Sequence, residues 1–413
     1  MQQPLDTSRL ARLAGRHGTP LWVYDAAVLR ERIAQLQAFD VVRYAQKACS
    51  NLHILRLVKD QGVLVDAVSE GELERALAAG FSTAGDPPGV VLTADILDAS
   101  ALARAMELDV EVNAGSIDML DQVGRAHPGH RVWIRVNPGF GHGHSQKTNT
   151  GGEASKHGVW HADLPAALEV VRRHRLRLIG IHMHIGSGAD YGHLERVCGA
   201  MVRTVQELDH DIQAVSAGGG LSIPYRPQEP RVDTAHYFSI WNAARERMAQ
   251  ALGHPLRLEL EPGRFLVAEA GILLAQVRAV KDMGANHFVL VDAGFNDLMR
   301  PALYGSYHAI SLFRPDGAAA EGDLRPTVVA GPLCESGDIF TQHDGGLVAP
   351  RPLPPARVGD FLVFHDAGAY GASMSSNYNS RPLLPEVLLD GSGDRLIRRR
   401  QTIRELLDLE TLP

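Results

Sequence analysis

The sequence predicts an α/β chain: a (β/α)8 TIM-like barrel followed by a C-terminal β domain of barrel or sandwich type, which the N-terminal strand joins. Three observations carry this. Apolar, β-rich runs recur at 41–47, 63–68, 90–94, 110–113, 131–137, 178–184, 212–217 and 256–261. Helical patterns lie between most of them, as parallel strands require, because each needs a crossover connection. After residue 268 the texture changes to strand-like runs at 272–280, 287–292, 327–330 and 361–365, broken by Gly and Pro. An open doubly wound sheet is the competing architecture. It calls for a glycine-rich phosphate turn after the first strand, and none follows Val41–Tyr44.

Taken in order, residues 1–28 form a segment that packs with the β domain: a helical pattern over 6–19 and a short strand at Leu21-Trp22-Val23-Tyr24. Residues 29–268 form the barrel and 269–413 the β domain. Within the barrel, Ser50 reads as the N-cap of a helix whose inner face is Leu52, Ile54, Leu55 and Val58. Ser69 with Glu72 reads as a capping box, closed at Gly80. Further helices are read at 96–108, 116–125, 163–174, 191–208 and 235–252. Pro138–His157 is a long glycine- and histidine-rich loop, which reads as a lid, since a loop of that length in a compact domain is more often functional than idle.

At 413 residues the chain has room for two substantial cores, and 45% hydrophobic with 22% charged residues is ordinary globular composition. A formal net charge of −7 supplies no basic field for nucleic acid or an anionic membrane. The one basic run, Arg395 with Arg398-Arg399-Arg400, reads as a solvated face. Three cysteines, an odd number at unrelated spacings, argue for a reducing compartment and against a disulfide framework. With no signal pattern and no membrane-length apolar run, the cytoplasm is the expected location.

The chemistry collects at the ends of the barrel strands. Lys47 ends the first, as a covalent amine or, read alone, a solvated rim residue. The sixth ends in His182-Met183-His184-Ile185-Gly186-Ser187, the seventh in Gly218-Gly219-Gly220, and the eighth in Glu261-Pro262-Gly263-Arg264. Consecutive glycines let backbone N–H groups approach a phosphate, and the last barrel loops commonly bind one. An amine, a phosphate nest and a carboxylate together suggest pyridoxal 5′-phosphate, with the lysine attached to its aldehyde and the carboxylate facing its ring nitrogen. His142, His144, His157, His182 and His184 lie among glycines without acids or cysteines at ligand spacing, so no metal is expected.

The residues also carry a resemblance. Tyr44-Ala45-Gln46-Lys47-Ala48, the His182–Ser187 and Gly218–Gly220 motifs, and Glu261–Arg264 are followed by four more motifs. These are Asp292-Ala293-Gly294, Arg300-Pro301-Ala302-Leu303-Tyr304, Gly331-Pro332-Leu333-Cys334-Glu335 and Gly368-Ala369-Tyr370-Gly371. Together they resemble the diaminopimelate decarboxylases, alanine-racemase-like pyridoxal-phosphate enzymes, over nearly the whole chain. Cys49 departs from the pattern, since many members have Asn after Lys-Ala.

The resemblance implies that Lys47 holds the cofactor covalently and His184 stacks on its ring. It implies that Ser187, Gly218, Gly219, Gly220, Pro262, Gly263, Arg264 and Tyr370 line the cofactor site, several of them at the phosphate, with Glu261 at the ring nitrogen. It assigns the substrate's distal carboxylate to Arg264, Arg300 and Tyr304 and its distal ammonium to Glu335, with Tyr370 also reaching substrate. Cys334 is the candidate proton donor, and the resemblance implies a homodimer that shares Cys334 and Glu335 between subunits. The implied reaction is loss of CO2 from meso-2,6-diaminopimelate to give L-lysine, the last step of lysine biosynthesis. An ornithine- or arginine-type decarboxylase and a non-catalytic pyridoxal-phosphate barrel are the alternatives. The first has no use for the Arg300 and Tyr304 grip, and the second none for Cys334-Glu335.

Overall fold

The structure, a computed structural model, describes residues 6–141, 150–184 and 190–411. The chain begins with α1 (Thr7–His17), β1 (Leu21–Asp25) and α2 (Ala26–Ala34). Strands β2 (Val41–Ala45), β3 (Leu64–Ala67), β4 (Val90–Ala94), β5 (Glu111–Ala114), β6 (Arg131–Asn137), β7 (Val159–Trp160), β8 (Arg177–His182), β9 (Ala214–Ser216) and β10 (Arg257–Leu260) follow. Between and after them come α3 (Leu52–Asp60), α4 (Glu70–Ala79), α5 (Ala99–Glu107), α6 (Ile117–Ala126), α7 (Leu164–Arg173), α8 (Tyr191–Gln206), α9 (Thr234–Leu252) and α10 (Arg264–Val267). The remainder holds β11 (Gly271–Met283), β12 (Asn286–Val291), α11 (Arg300–Tyr304), β13 (Ile310–Phe313), β14 (Arg325–Ala330), β15 (Arg351–Leu353), β16 (Phe361–Phe364), β17 (Glu386–Asp390), β18 (Gly393–Arg398) and α12 (Ile403–Leu407).

Contacts divide the chain into two units. One comprises Arg30–Ile223 and Pro230–Leu266. The other comprises Met1–Leu29, Pro224–Glu229 and Val267–Pro413. In the first, β2, β3, β4, β5, β6, β8, β9 and β10 pair in parallel and the sheet closes on itself through β5–β6 and β10–β2, a closed eight-stranded barrel. Among the described residues, β7 pairs only with the end of β6.

Helix caps set where each strand's outgoing loop ends. Ser69 accepts from the Glu72 N–H at 3.2 Å, and Gly80 closes α4 in the left-handed region. The Glu72 carboxylate turns instead to the Val68 N–H at 2.9 Å, so the capping box is one-sided. Asn51, not Ser50, caps α3, its side chain accepting from the His53 N–H at 2.9 Å. An asparagine oxygen reaches the first free N–H groups as readily as serine's, and the helix starts one residue later than its sequence pattern suggests.

Part of the barrel interior is polar. Arg43 on β2 places Nε 2.6 Å from Glu259 on β10, both 1% exposed in their side chains, and Arg257 takes the other Glu259 oxygen at 2.8 Å. Glu111 on β5 accepts from the Trp133 indole at 3.0 Å. Gly180 on β8 is obligatory here, because a Cβ would stand 2.6 Å from the Trp133 ring and 2.2 Å from the Ala214 carbonyl.

The second unit is a mixed nine-stranded sheet ordered β15-β14-β12-β11-β1-β17-β18, with β16 bridging β11 and β13. The N-terminal strand β1 runs antiparallel to β11 and parallel to β17. Leu10 and Leu13 of α1, Leu21 and Val23 of β1, and Leu274, Phe313, Val363 and Val387 bury one another in its core. No helix among the described residues is long and apolar enough to cross a membrane.

Removing one member of a buried ion pair strands the other, which costs about 3 kcal/mol or more. Arg43→Leu is therefore expected to lower the chain's unfolding free energy by about that amount. Urea unfolding, read as a shift of midpoint at constant slope, checks it.

Candidate active site

Lys47 sits in a 3-10 turn, Gln46–Ala48, that continues β2, and its side chain is exposed. The turn is pinned from several directions. The Pro262 carbonyl accepts from the Ala45 N–H at 3.1 Å. Gly263 packs so closely that a Cβ would lie 3.1–3.2 Å from the Ala45 carbonyl, the Ala45 Cβ and the Ala48 Cβ. The Tyr44 hydroxyl donates to the Cys49 carbonyl at 2.9 Å, and the Gln46 amide donates to the Glu72 carbonyl at 3.0 Å. The backbone under Lys47 is thus held by the residues that follow β10 and by α4, while the lysine itself stays exposed.

Glu261 follows the last residue of β10 and is 8% exposed. His182 Nε2, at the end of β8, donates to Oε2 at 2.8 Å, and the Ser216 hydroxyl, at the end of β9, donates to Oε1 at 2.9 Å. Ser216 Oγ in turn accepts the Gly218 N–H at 3.1 Å. Burial would push this carboxyl up, but the His182 ring, by charge and hydrogen bond, and the Ser216 hydroxyl outweigh it and hold the group well below the usual carboxylate range. Asp66 at the end of β3 goes the other way. Burial and the Glu261 charge push it up to about 8 against the pull of Lys47 and the Thr93 hydroxyl, and its Oδ1 has no hydrogen-bond partner among the described residues. Two neighbouring buried carboxyls do not both ionise cheaply, and the proton goes to the one with fewer donors.

Gly218 and Gly220 have φ of +62° and +112°. A Cβ on Gly218 would come within 2.4 Å of the Met183 carbonyl, and one on Gly219 would stand 3.1 Å from the His184 ring and 2.8 Å from the Glu261 carbonyl. Only glycines let this turn lie against His184. Burial, then the Arg135 and Lys47 charges, drives His184 well below its ordinary pKa, so it presents a neutral aromatic face. Its carbonyl accepts from Thr150 Oγ1 at 2.9 Å. Arg135, also buried, has one amino group without a hydrogen-bond partner among the described residues. Arg264 opens α10 and is partly buried. A neutral ring, an ionised buried carboxylate, an exposed amine and a glycine turn with no room for side chains match the groups of pyridoxal phosphate one by one.

Ser187 lies outside the described residues, as do His142 and His144. His157 does not behave as a solvated loop residue: its Nδ1 pairs with Asp95 Oδ2, and the Gly158 N–H donates to Asp95 Oδ1 at 3.1 Å. Asn137 bonds the Gly152 N–H and the Gly152 and His157 carbonyls, fixing both described ends of that loop.

In the second unit, Arg300 opens α11 and is 5% exposed, while Tyr304 at its end is partly buried. Tyr370 is a non-glycine residue at φ +57°, in a turn where Gly368 and Gly371 have no space for a Cβ. Such backbone strain is characteristic of functional positions. Cys334 and Glu335 stand exposed, the Cys334 N–H donating to Asn379 at 2.9 Å. Asp338 holds the base of their loop by accepting from the N–H groups of Leu333 at 2.8 Å and Phe295 at 2.7 Å.

Comparison with known proteins settles the family. The model for the pyridoxal-binding domain of pyridoxal-dependent decarboxylases matches residues 26–268. The diaminopimelate decarboxylase of Escherichia coli K12 is 66% identical over 99% of this chain and 97% of that protein. This chain belongs to the diaminopimelate decarboxylase family. A crystal structure of a diaminopimelate decarboxylase superposes with a TM-score of 0.96 at 66% identity, over 98% of this chain and 96% of that one. The Helicobacter pylori enzyme, solved with L-lysine bound, gives 0.83 at 30% identity, over 97% and 98%. As in that family, the cofactor is pyridoxal phosphate.

Sequence reasoning missed Asp66, Arg135 and Ser216. The signal was there as a charged or hydroxyl residue inside an otherwise apolar strand run, as in Val63-Leu64-Val65-Asp66-Ala67.

A carboxyl whose folded pKa is raised keeps a proton that the unfolded chain has lost, so Asp66 subtracts stability progressively as pH rises from about 4 towards 8. Asp66→Asn removes that loss. In the cofactor-free chain, the melting temperature of the variant minus that of the parent is expected to grow between pH 5 and pH 8.5, and a flat difference would refute the assignment.

Proposed function

We propose that this chain decarboxylates the D-configured end of meso-2,6-diaminopimelate, giving L-lysine and CO2. The observation that carries the reading is the Glu261 carboxylate, kept ionised beside the pinned Lys47 turn in a chain 66% identical to a named diaminopimelate decarboxylase. Pyridoxal phosphate, when bound, supplies the conjugated system that accepts electrons from the breaking bond between Cα and the carboxylate. Lys47 is the amine that would hold it covalently. Glu261 holds a proton at the ring nitrogen, which strengthens the electron sink, and His182 and Ser216 keep Glu261 able to do so. His184 offers its neutral face to the ring. Gly218–Gly220, Ser187, Arg264 and Tyr370 would receive the phosphate, while Pro262 and Gly263 set the Lys47 turn.

Arg300, Tyr304 and Arg264 take the distal carboxylate, where a guanidinium can bind in bidentate fashion. Glu335 takes the distal ammonium, and Cys334 Sγ returns the proton to Cα. The exposure of Cys334 and Glu335, on a loop held rigid by Asp338, supports a homodimer in which these two side chains serve the other subunit. Three cysteines free of disulfides support a reducing compartment, the cytoplasm.

With pyridoxal phosphate added, CO2 release from meso-diaminopimelate is expected to exceed that from ornithine or arginine by about 100-fold or more, because a site built for a charged group rejects analogues that lack it. Equal rates would overturn the substrate assignment. Arg300→Ala is expected to raise KM for diaminopimelate by about 100-fold with cofactor absorbance retained. Mixing inactive Lys47→Ala and Cys334→Ala dimers, followed by exchange of subunits, is expected to recover about one quarter of the parent activity, since half the dimers then hold one intact site. No recovery despite demonstrated exchange would place both groups in one subunit.

A further inference from the structure

Arg300 is held by a device that none of the family motifs includes. Its Nη1 lies 2.9 Å from His308 Nε2, and His308 Nδ1 lies 2.8 Å from the His365 carbonyl. A carbonyl only accepts, so Nδ1 carries the hydrogen. A guanidinium only donates, so Nε2 is the bare, accepting nitrogen. The two contacts therefore fix one neutral tautomer, since a doubly protonated ring would point an N–H at a guanidinium.

His308 is 2% exposed and fixed on its other sides as well. Its carbonyl accepts from Arg351 Nη1 at 3.0 Å. Its ring meets Tyr225 at 5.6 Å and 81°, and the face of Tyr225 carries the Arg300 guanidinium at 4.8 Å. The same imidazole thus bonds the arginine and abuts the aromatic ring beneath it. Ser311 Oγ, 2.8 Å from His365 Nε2, holds the residue whose carbonyl anchors His308. Gly305 makes the arrangement possible: at φ +62° it ends α11, and a Cβ there would stand 2.2 Å from the Asp344 nitrogen. The chain can then fold back within eight residues to bring His308 onto Arg300.

We propose that His308 is the positioning residue that presents the Arg300 guanidinium to the substrate's distal carboxylate, and so sets the preference for a diacid. The inference rests on the carboxylate-binding role given to Arg300 above. The neutrality of the holder is what suits it to this task. A carboxylate in the same place would fix the arginine, but the incoming substrate would then have to displace or share an ion pair. The imidazole lone pair orients the fork without itself setting a negative charge against it.

The test is a set of variants of the pyridoxal-phosphate-loaded enzyme. In His308→Gln the amide oxygen reaches the place of Nε2, and KM for meso-diaminopimelate should stay within about threefold of the parent. In His308→Asn and His308→Leu that acceptor is lost, and KM should rise about tenfold or more. In all three, kcat and cofactor absorbance should hold within about twofold, as should the inhibition constant of D-lysine, which has no distal carboxylate. Equal KM values for the Gln, Asn and Leu variants, or a fall in kcat and cofactor content with KM unchanged, would overturn the proposal and leave His308 a packing residue. Arg300→Ala, run in parallel, separates the two readings. If it leaves KM unchanged, the carboxylate role of Arg300 fails. If it raises KM while His308→Leu does not, only the positioning role of His308 fails.

Discussion

A carboxylate held ionised out of water is the constraint on which the site is built. Burying Glu261 costs free energy that hydrogen-bond donors must offset, and two are supplied, by His182 and Ser216. The barrel makes that supply straightforward. Strands β8, β9 and β10 are neighbours in parallel register, with His182 opposite Ser216 and Ser216 opposite Glu259, so their outgoing ends converge. An open sheet could align two such ends, whereas closure brings Asp66 from β3 and Arg135 from β6 into the same electrostatic cluster. Burial first and the ionised Glu261 second drive a proton onto Asp66, while burial with the Arg135 and Lys47 cations keeps His184 neutral against the opposing charge of Glu261.

The second unit meets a different demand, which is to hold loops still without regular structure. It does so with buried acids. Asp338 takes two backbone N–H groups from separate loops, and burial pushes its carboxyl up despite those bonds. Asp297 takes the Gly294 N–H, and burial pushes it up to about 7. Both lie near the segments that carry Arg300 and Cys334 in sequence. The N-terminal strand belongs to this unit because β11 and β17 each need a partner on that side, and Leu21 and Val23 complete the core they share.

Much of this was legible in the sequence, because strand runs, glycine turns and helix periods are local signals. The eight barrel strands and the helix ending at Gly80 lie within a few residues of where their patterns place them. What was not legible depends on neighbours distant in sequence. Nothing in the strand patterns pairs Arg43 with Glu259 until closure of the barrel sets them face to face across 216 residues. Ser216 reads as a strand end until Glu261 arrives beside it. The choice of Asn51 over Ser50 as the cap was a matter of which oxygen reaches a free N–H, which spacing alone does not fix. Tyr370 was picked out by its motif, but its left-handed backbone follows from the tight packing of Gly368 and Gly371.

The contiguity of Glu261-Pro262-Gly263-Arg264 has a physical reason. A lysine that must bond to a cofactor and let go of it cannot be fixed through its own side chain, since every contact to the amine would have to be broken in each cycle. Its position must come from the backbone. Pro262 and Gly263 supply that, one by a carbonyl bonded to Ala45 and the other by having no side chain where Ala45 and Ala48 approach. Because the same strand end carries Glu261, the distance between the amine and the carboxylate is set through one short, stiff piece of chain. A substitution at Gly263 would displace the Lys47 turn and the Glu261 strand end together, and the chemistry depends on both at once.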